Sequence, residues 1–166
     1  MATTIGILAD THLRSADELF RAQVAACFTE ADVILHAGDL TSPAVLEAFT
    51  GKRLFAVHGN MCDRAALNSL PASRLIELDG HTIALTHGHR LGYGDLEDRL
   101  LSTFPEADCI VYGHTHHPVC HRLGGILLIN PGSFTGGGRQ GGAGTYALLR
   151  IADGLSGEIR QVRSEP

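Results

Sequence analysis

The sequence has no excess of basic residues. Its 166 residues include 13 Lys and Arg against 18 Asp and Glu, which gives a formal net charge of -5. Because non-specific binding to nucleic acid requires a basic surface, nucleic acid is not an expected partner. Long apolar runs are also absent, so no membrane partner is expected. The first residues do not combine a charged segment with an apolar one, as a secretory signal does, and the expected location is the cytoplasm.

Cysteine is scarce, and its spacing carries no zinc signal. The four cysteines, Cys27, Cys62, Cys109 and Cys120, form no Cys-x-x-Cys pair, which excludes the usual thiolate pattern of structural zinc. In a cytoplasmic protein they are expected as thiols rather than disulfides. The sequence also shows no internal repeat and no interdomain linker. We therefore predict one domain over residues 1–166.

Histidine, in contrast, is abundant and lies at the ends of apolar runs. The chain has ten histidines. Five short apolar runs, typical of buried strands, each end in a cluster of His, Asp or Asn. The clusters are Asp10-Thr11-His12, Gly38-Asp39, Gly59-Asn60, His87-Gly88-His89 and Gly113-His114-Thr115-His116. Since sites in α/β sheets form at the downstream strand ends, these clusters predict one shared site.

The remaining pattern predicts strands that alternate with helices and then hairpins. Helices are expected from Ser15 to Glu30, with Ser15 as the N-cap, from Ser42-Pro43 to Gly51, and from Asp95 to Phe104. Asp79-Gly80 between two strand-like runs indicates a hairpin. The last third, from Val119 to Val162, suggests an antiparallel meander. The predicted fold class is α/β (α+β), with a mixed sheet or two packed sheets and helices outside.

The clusters contain enough ligands for two metal ions. A tetrahedral zinc takes about four ligands. Seven candidates follow the strands, namely Asp10, His12, Asp39, Asn60, His87, His114 and His116. Two divalent ions could share one carboxylate, for which Asp39 is the candidate. Mixed imidazole and carboxylate ligands favour Mn, Fe, Zn, Co or Ni over Ca.

The order of the five clusters resembles that of the calcineurin-like metallophosphoesterase superfamily. Within it, the chain is most similar to the small single-domain bacterial and archaeal phosphodiesterases. The resemblance extends to Asn130-Pro131-Gly132-Ser133, so it covers nearly the whole chain. It implies a four-layer αββα sandwich in which two mixed β-sheets are flanked by helices.

The resemblance also implies two metal sites that share Asp39. One would be held by Asp10, His12, Asp39 and His116, and the other by Asp39, Asn60, His87 and His114. A metal-bridging hydroxide would then attack a small-molecule phosphodiester, with manganese as the expected metal. The catalytic roles implied are those of Asp39 and Asn60. The Asn60 amide would also bind a phosphate oxygen of the substrate.

One position departs from the pattern of many active members. They have a histidine directly after the metal-binding asparagine, where it protonates the leaving group, whereas this chain has Met61. Leaving groups of low pKa are therefore expected to be favoured. His58 and His89 are the candidate replacements, and His89 is also a candidate substrate ligand. Arg139, in the glycine-rich segment 136–144, is a candidate for binding an anion at the rim.

Two functions from different classes fit the sequence. One is hydrolysis of a small phosphodiester, since the chain has neither a cap domain nor a basic groove for a polynucleotide. The other is a metal-binding scaffold for protein interactions, which resembles the retromer subunit of the same superfamily in size and in lacking the acid histidine. The complete ligand set favours the enzyme. A mononuclear metalloprotease is a third alternative, but His-Glu-x-x-His is missing. Assembly into homo-oligomers is left open.

Overall fold

The computed structural model describes residues 2–137 and 142–163. In these ranges the strands form two mixed five-stranded sheets. The first sheet has the order β10-β9-β1-β2-β3 and consists of β1 (Thr3–Leu8), β2 (Val33–His36), β3 (Arg53–Ala56), β9 (Thr145–Ile151) and β10 (Leu155–Gln161). Strands β1, β2 and β3 are parallel, whereas β9 is antiparallel to β1. The downstream ends of β1, β2 and β3 therefore lie at one edge.

The second sheet repeats this arrangement. It has the order β4-β5-β6-β8-β7 and consists of β4 (Ser73–Leu78), β5 (His81–Thr86), β6 (Cys109–Val111), β7 (Val119–Leu123) and β8 (Ile126–Asn130). Strands β5, β6 and β8 are parallel. The predicted Asp79-Gly80 turn joins β4 to β5, and both residues have the positive φ that a two-residue hairpin turn of this kind requires.

Helices cover the outer face of each sheet. They are α1 (Glu18–Cys27), α2 (Arg64–Ser69) and α3 (Leu96–Thr103), together with a 3₁₀ helix at Pro43–Phe49. Apolar residues of both sheets, among them Ile7 and Ile83, form the core between the sheets. Phe20 of α1 packs outside the first sheet, and Leu100 of α3 packs outside the second. The four-layer αββα sandwich is confirmed.

Four local predictions were incomplete or wrong. Helix α1 begins at Glu18 rather than Ser15, because Asp17 is the N-cap and accepts a hydrogen bond from the Phe20 amide at 2.8 Å. The segment after Ser42 is a 3₁₀ helix rather than an α-helix. Helix α2 was missed, although Asp63 caps it. The last third is not one meander, because the β7–β8 hairpin joins the second sheet and the β9–β10 hairpin joins the first.

Among the described residues, no helix is both long enough and apolar enough to cross a membrane.

Candidate metal centre

Five strand ends from the two sheets meet at one edge of the sandwich. Within the first sheet, the Asp10 amide donates to the Gly38 carbonyl at 3.0 Å, and the His12 amide donates to the Asp39 carbonyl at 2.9 Å. Between the sheets, the His114 amide donates to Oδ2 of Asp10 at 3.2 Å. The five predicted clusters therefore converge, although their strands belong to two sheets rather than one.

One group of possible metal ligands consists of Asp10, His12 and His116. The Nε2 atoms of His12 and His116 lie 3.4 Å apart. Oδ1 of Asp10 lies 3.3 Å from Nε2 of His116 and 3.9 Å from Nε2 of His12. The Asp10 carboxylate raises the pKa of His116, because a proton on that ring is attracted to it. The Asp10 carboxylate would attract a cation bound between these side chains in the same way.

A second group consists of Asp10, Asp39 and His87, all of them buried. Nδ1 of His87 lies 2.8 Å from the Ala37 carbonyl, so this nitrogen must donate and Nε2 faces the carboxylates. Nε2 lies 3.2 Å from Oδ2 of Asp39 and 3.9 Å from Oδ1 of Asp10. Oδ1 of Asn60 lies 3.2 Å from the same nitrogen. A neutral imidazole would place a lone pair against three oxygens, so the group needs a proton or a cation.

The titration of this second group follows from the same contacts. Burial alone would lower the pKa of His87, but the contacts with Asp39 and Asp10 outweigh burial and raise it. Burial likewise acts to raise the pKa of Asp39. The contact with His87 and the hydrogen bond from the Met61 amide, 2.7 Å from Oδ1, outweigh this effect and lower it. The environment thus stabilises a pair of opposite charges.

The carboxylate of Asp10 gives the clearest indication of a cation site. Asp10 is fully buried, and its Oδ2 accepts from the His114 amide. No donor among the described residues has hydrogen-bond geometry toward Oδ1. A buried carboxylate oxygen without a donor is costly. Since Oδ1 belongs to both ligand groups, divalent cations fit this arrangement of donors.

The other two predicted ligands, Asn60 and His114, border these groups. The His114 ring packs 5.2 Å from the His87 ring, centroid to centroid. All seven predicted ligands are therefore brought together. Asp10 is the member common to both groups of three, whereas Asp39 occurs in one. The shared role of Asp39 stays a prediction.

The backbone around the site adopts an uncommon conformation. Eight described residues other than glycine have positive φ, and six of them lie at the site: Asp10, His12, Asp39, Thr41, His114 and His116. Positive φ is uncommon in residues other than glycine, and such residues concentrate at functional sites. The backbone of Gly59 also lies very close to Asp39, because a Cβ at this position would lie 2.1 Å from Oδ1 of Asp39. The chain therefore tolerates strain and close approach to bring the ligands together.

The candidate acids are placed differently. His58 is buried, and its Nδ1 lies 3.2 Å from the Gly59 carbonyl. The His89 ring lies 5.4 Å from the His87 ring, and burial and the positive charge of His87 lower its pKa to about 4. Met61 is 59% exposed. Arg139 lies outside the described residues.

Sequence reasoning missed two kinds of residue at the site. Tyr93 stacks on His114 with ring centroids 4.5 Å apart. The Gly-Tyr-Gly segment that contains it gives no signal of this contact. Asn130 and Ser133 support the ligand loops by hydrogen bonds, and Ser133 Oγ donates to the Asp10 carbonyl at 2.9 Å. The Asn130-Pro131-Gly132-Ser133 segment could have indicated this last contact. His36 was not missed, because its place before Gly38-Asp39 predicts a supporting role, and it hydrogen-bonds Thr11 and the Gly38 amide.

Known proteins resemble the chain in sequence and fold. Residues 3–154 match the calcineurin-like phosphoesterase superfamily domain. A probable metallophosphoesterase of Methanothermobacter thermautotrophicus is 39% identical over 133 residues, which cover 79% of this chain and 77% of the relative. A phosphodiesterase of Methanocaldococcus jannaschii is 29% identical over 150 residues, which cover 80% of this chain and 84% of the relative.

The structure of Vacuolar Protein Sorting 29 from Cryptosporidium parvum has the same fold. It matches with a TM-score of 0.79 at 18% identity, over 98% of this chain and 92% of that one. Together with the superfamily match over residues 3–154 and the two ligand groups, this likeness leads to one conclusion. The chain belongs to the calcineurin-like phosphoesterase superfamily.

Proposed function

We propose that the protein is a binuclear metal-dependent phosphodiesterase that hydrolyses a small-molecule phosphodiester. The observation that carries this proposal is the pair of ligand groups joined by a buried carboxylate oxygen that has no donor among the described residues. The proposed first metal set is Asp10, His12, Asp39 and His116, and the proposed second set is Asp39, Asn60, His87 and His114. Manganese is the expected metal, and Fe, Zn, Ni or Co suits the same ligands.

Bound divalent ions would supply positive charge against the phosphate and lower the pKa of an attacking water. The chain's own residues define the rest of the chemistry. His87 directs Nε2 into the site because its Nδ1 is engaged by the Ala37 carbonyl. The Met61 amide fixes the Asp39 carboxylate by donating to Oδ1. Oδ1 of Asn60 faces Nε2 of His87, so the amide nitrogen of Asn60 can donate to a phosphate oxygen.

Protonation of the leaving group is the weakest step of this site. Met61 follows Asn60 where many members have a histidine, and its side chain is largely exposed. With a pKa of about 4, His89 is mostly in its neutral form at pH 7. Few molecules then carry the imidazolium that could protonate the leaving group. We therefore expect fast turnover only for esters whose leaving group departs as a stable anion.

Measurements of bound metal and of turnover test the proposal together. The purified protein, reconstituted with Mn²⁺, should hydrolyse bis(4-nitrophenyl) phosphate and contain about two metal ions per chain. Asp39→Asn should lose at least one ion and nearly all turnover. The matched control is Asp79→Asn, which makes the same change in the exposed β4–β5 turn. A protein that holds both ions and gives no turnover would refute the enzyme.

The scaffold remains the second candidate, and it is favoured by the fold match to Vacuolar Protein Sorting 29. A scaffold would bind metal through the same residues without needing to turn over a diester. The assay above separates the two, because metal content and turnover are read on the same sample. Met61→His adds a second criterion. If the enzyme lacks only its acid, this variant should gain most on esters with poor leaving groups.

A further inference from the structure

A cavity of about 410 Å³ opens beside His114, one of the predicted metal ligands. Its lining includes Thr115, which lies between His114 and His116, and Tyr93, which stacks on the His114 ring. The cavity therefore borders the loop that carries two of the proposed metal ligands, His114 and His116. Its volume falls in the range of small-molecule sites, which is roughly 300–1,000 Å³.

Tyr93 is an unusual surface residue. It is 71% exposed, the most exposed of the large apolar side chains among the described residues. One contact fixes its ring, because it lies on His114 at 4.5 Å with an angle of 30° between the planes. A positioned aromatic ring with an open surface can bind a flat or a positively charged group.

Acidic side chains predominate in the lining of the cavity, which also includes His117. Asp95, Glu97 and Asp98 contribute to the lining, and neither Lys nor Arg does so among the described residues. Glu97 is already engaged by the Tyr112 hydroxyl at 2.7 Å and by His121 at 2.9 Å. Asp95 and Asp98 are exposed, and no hydrogen bond or ion pair to their carboxylates occurs in the described part of the chain. The cavity therefore repels anions and attracts cations.

We infer that this cavity binds the ester group that stays on the phosphorus, and that this group carries an ammonium, as in an amino-alcohol ester. The inference rests on the proposed function, since it names the substrate class of the same site. Tyr93 would contact the cation through its ring, while Asp95 and Asp98 would attract it through their charge. An anionic group in place of the ammonium would be repelled by the same two carboxylates.

Two diesters of equal shape test the charge. One is 4-nitrophenyl phosphocholine, and the other is its carbon isostere, 4-nitrophenyl 3,3-dimethylbutyl phosphate. In both, water attacks phosphorus and the bond to the nitrophenyl oxygen breaks. The nitrophenolate leaves with the electron pair, a proton from the water passes to the solvent, and the retained arm stays on the phosphate monoester. The ratio of kcat/KM for the two substrates isolates the positive charge.

The wild-type protein should prefer the choline ester by about fivefold to tenfold, and 0.5 M salt should reduce this preference. Asp95→Asn combined with Asp98→Asn should bring the ratio close to one. Tyr93→Leu should lower the ratio about threefold, while Tyr93→Phe should keep it. Asp153→Asn is the matched control: it removes a carboxylate from the β9–β10 turn, at the opposite edge of the sheet, and should leave the ratio unchanged.

Because each ratio compares two substrates on one protein, a general loss of metal in a variant cancels. A wild-type ratio of one or below, or a ratio that the Asp95 and Asp98 changes leave intact, would overturn the inference. Failure of the proposed function looks different. In that case the metal-loaded protein would turn over neither diester and would leave bis(4-nitrophenyl) phosphate intact as well.

Discussion

His36 makes the folded protein sensitive to acid. It is fully buried at the end of β2. The Gly38 amide donates to its Nδ1 at 3.2 Å, so Nε2 carries the proton and donates to Oγ1 of Thr11 at 3.1 Å. Protonation of Nδ1 would break the first bond. Burial, helped by the positive charge of His87, lowers the pKa of His36 from 6.5 to about 3.

The effect of His36 on the free energy of unfolding follows from the difference between its folded-state pKa of about 3 and its ordinary pKa of 6.5. An unfolded chain takes up a proton at this histidine as the pH falls below 6.5, whereas the folded protein does not until about pH 3. The stabilisation by neutral His36 is therefore complete above pH 6.5 and is lost as the pH falls toward 3. At about 1.4 kcal/mol per pKa unit, the whole difference is worth about 5 kcal/mol. Between pH 7.5 and 4.5 the expected loss is about 3 kcal/mol.

His36→Gln tests this value, because glutamine can hydrogen-bond in the same place but does not titrate. We expect the variant to be less stable than wild type at pH 7.5 by about 1–3 kcal/mol. By pH 4.5 the stability difference between wild type and this variant should shift by about 3 kcal/mol in favour of the variant. The measurement is urea unfolding with EDTA present, which removes the effect of metal binding on stability.

The difference between the two proteins separates His36 from the other titrating groups of the site. His117→Gln replaces an exposed histidine and should follow the wild-type pH dependence. Wild-type and His36→Gln stability curves that stay parallel from pH 7.5 to 4.5 would contradict the low pKa of His36. In that case His36 would be protonated in the folded state at ordinary pH, in conflict with the bond from the Gly38 amide.

Two further changes test the proposed metal ligands. Gly59→Ala would place a methyl group 2.1 Å from Oδ1 of Asp39, so the carboxylate must move by more than an ångström. We expect elemental analysis to show that this variant loses metal. Gly94→Ala is the control and should keep its metal, because a Cβ at Gly94 meets nothing within 4 Å. Full metal content in Gly59→Ala would show that the loop relaxes. Asp10→Asn should reduce bound metal to about one ion per chain, because Asp10 belongs to the proposed first set and not to the second. Loss of both ions would contradict these sets and would show that Asp10, which occurs in both groups of three, serves both sites.

The positions of the candidate ligands could be predicted because they depend on local patterns. Asp10, Asp39 and Asn60 each follow a short apolar run, and parallel strands bring their downstream ends to the same edge. The turn at Asp79-Gly80 was equally local, since few residue pairs adopt two positive φ values. Helix α2 gave no comparable signal, because six residues are too few to show an apolar period.

The partition of the hairpins between the sheets could not be predicted, because it depends on pairing between distant parts of the chain. Strand β9 joins the first sheet through β1, with Ile151 opposite Thr3. Strand β8 joins the second sheet through β6, with Leu127 opposite Cys109. Both hairpins have similar local patterns, so nothing within them states which sheet they enter. The same limit applies to Asp10, whose place in both ligand groups depends on loops of two different sheets.

The left-handed residues show how the fold prepares the site before any metal binds. Each such residue costs about 1–2 kcal/mol relative to an ordinary conformation. Hydrogen bonds hold these loops from several directions, as in the His12 amide on the Asp39 carbonyl and the His114 amide on Asp10. These hydrogen bonds and the packing of the two sheets therefore stabilise the strained residues. Because the ligand loops are already ordered, binding of the proposed metals would leave little backbone to order, and most of its free energy would be available as affinity.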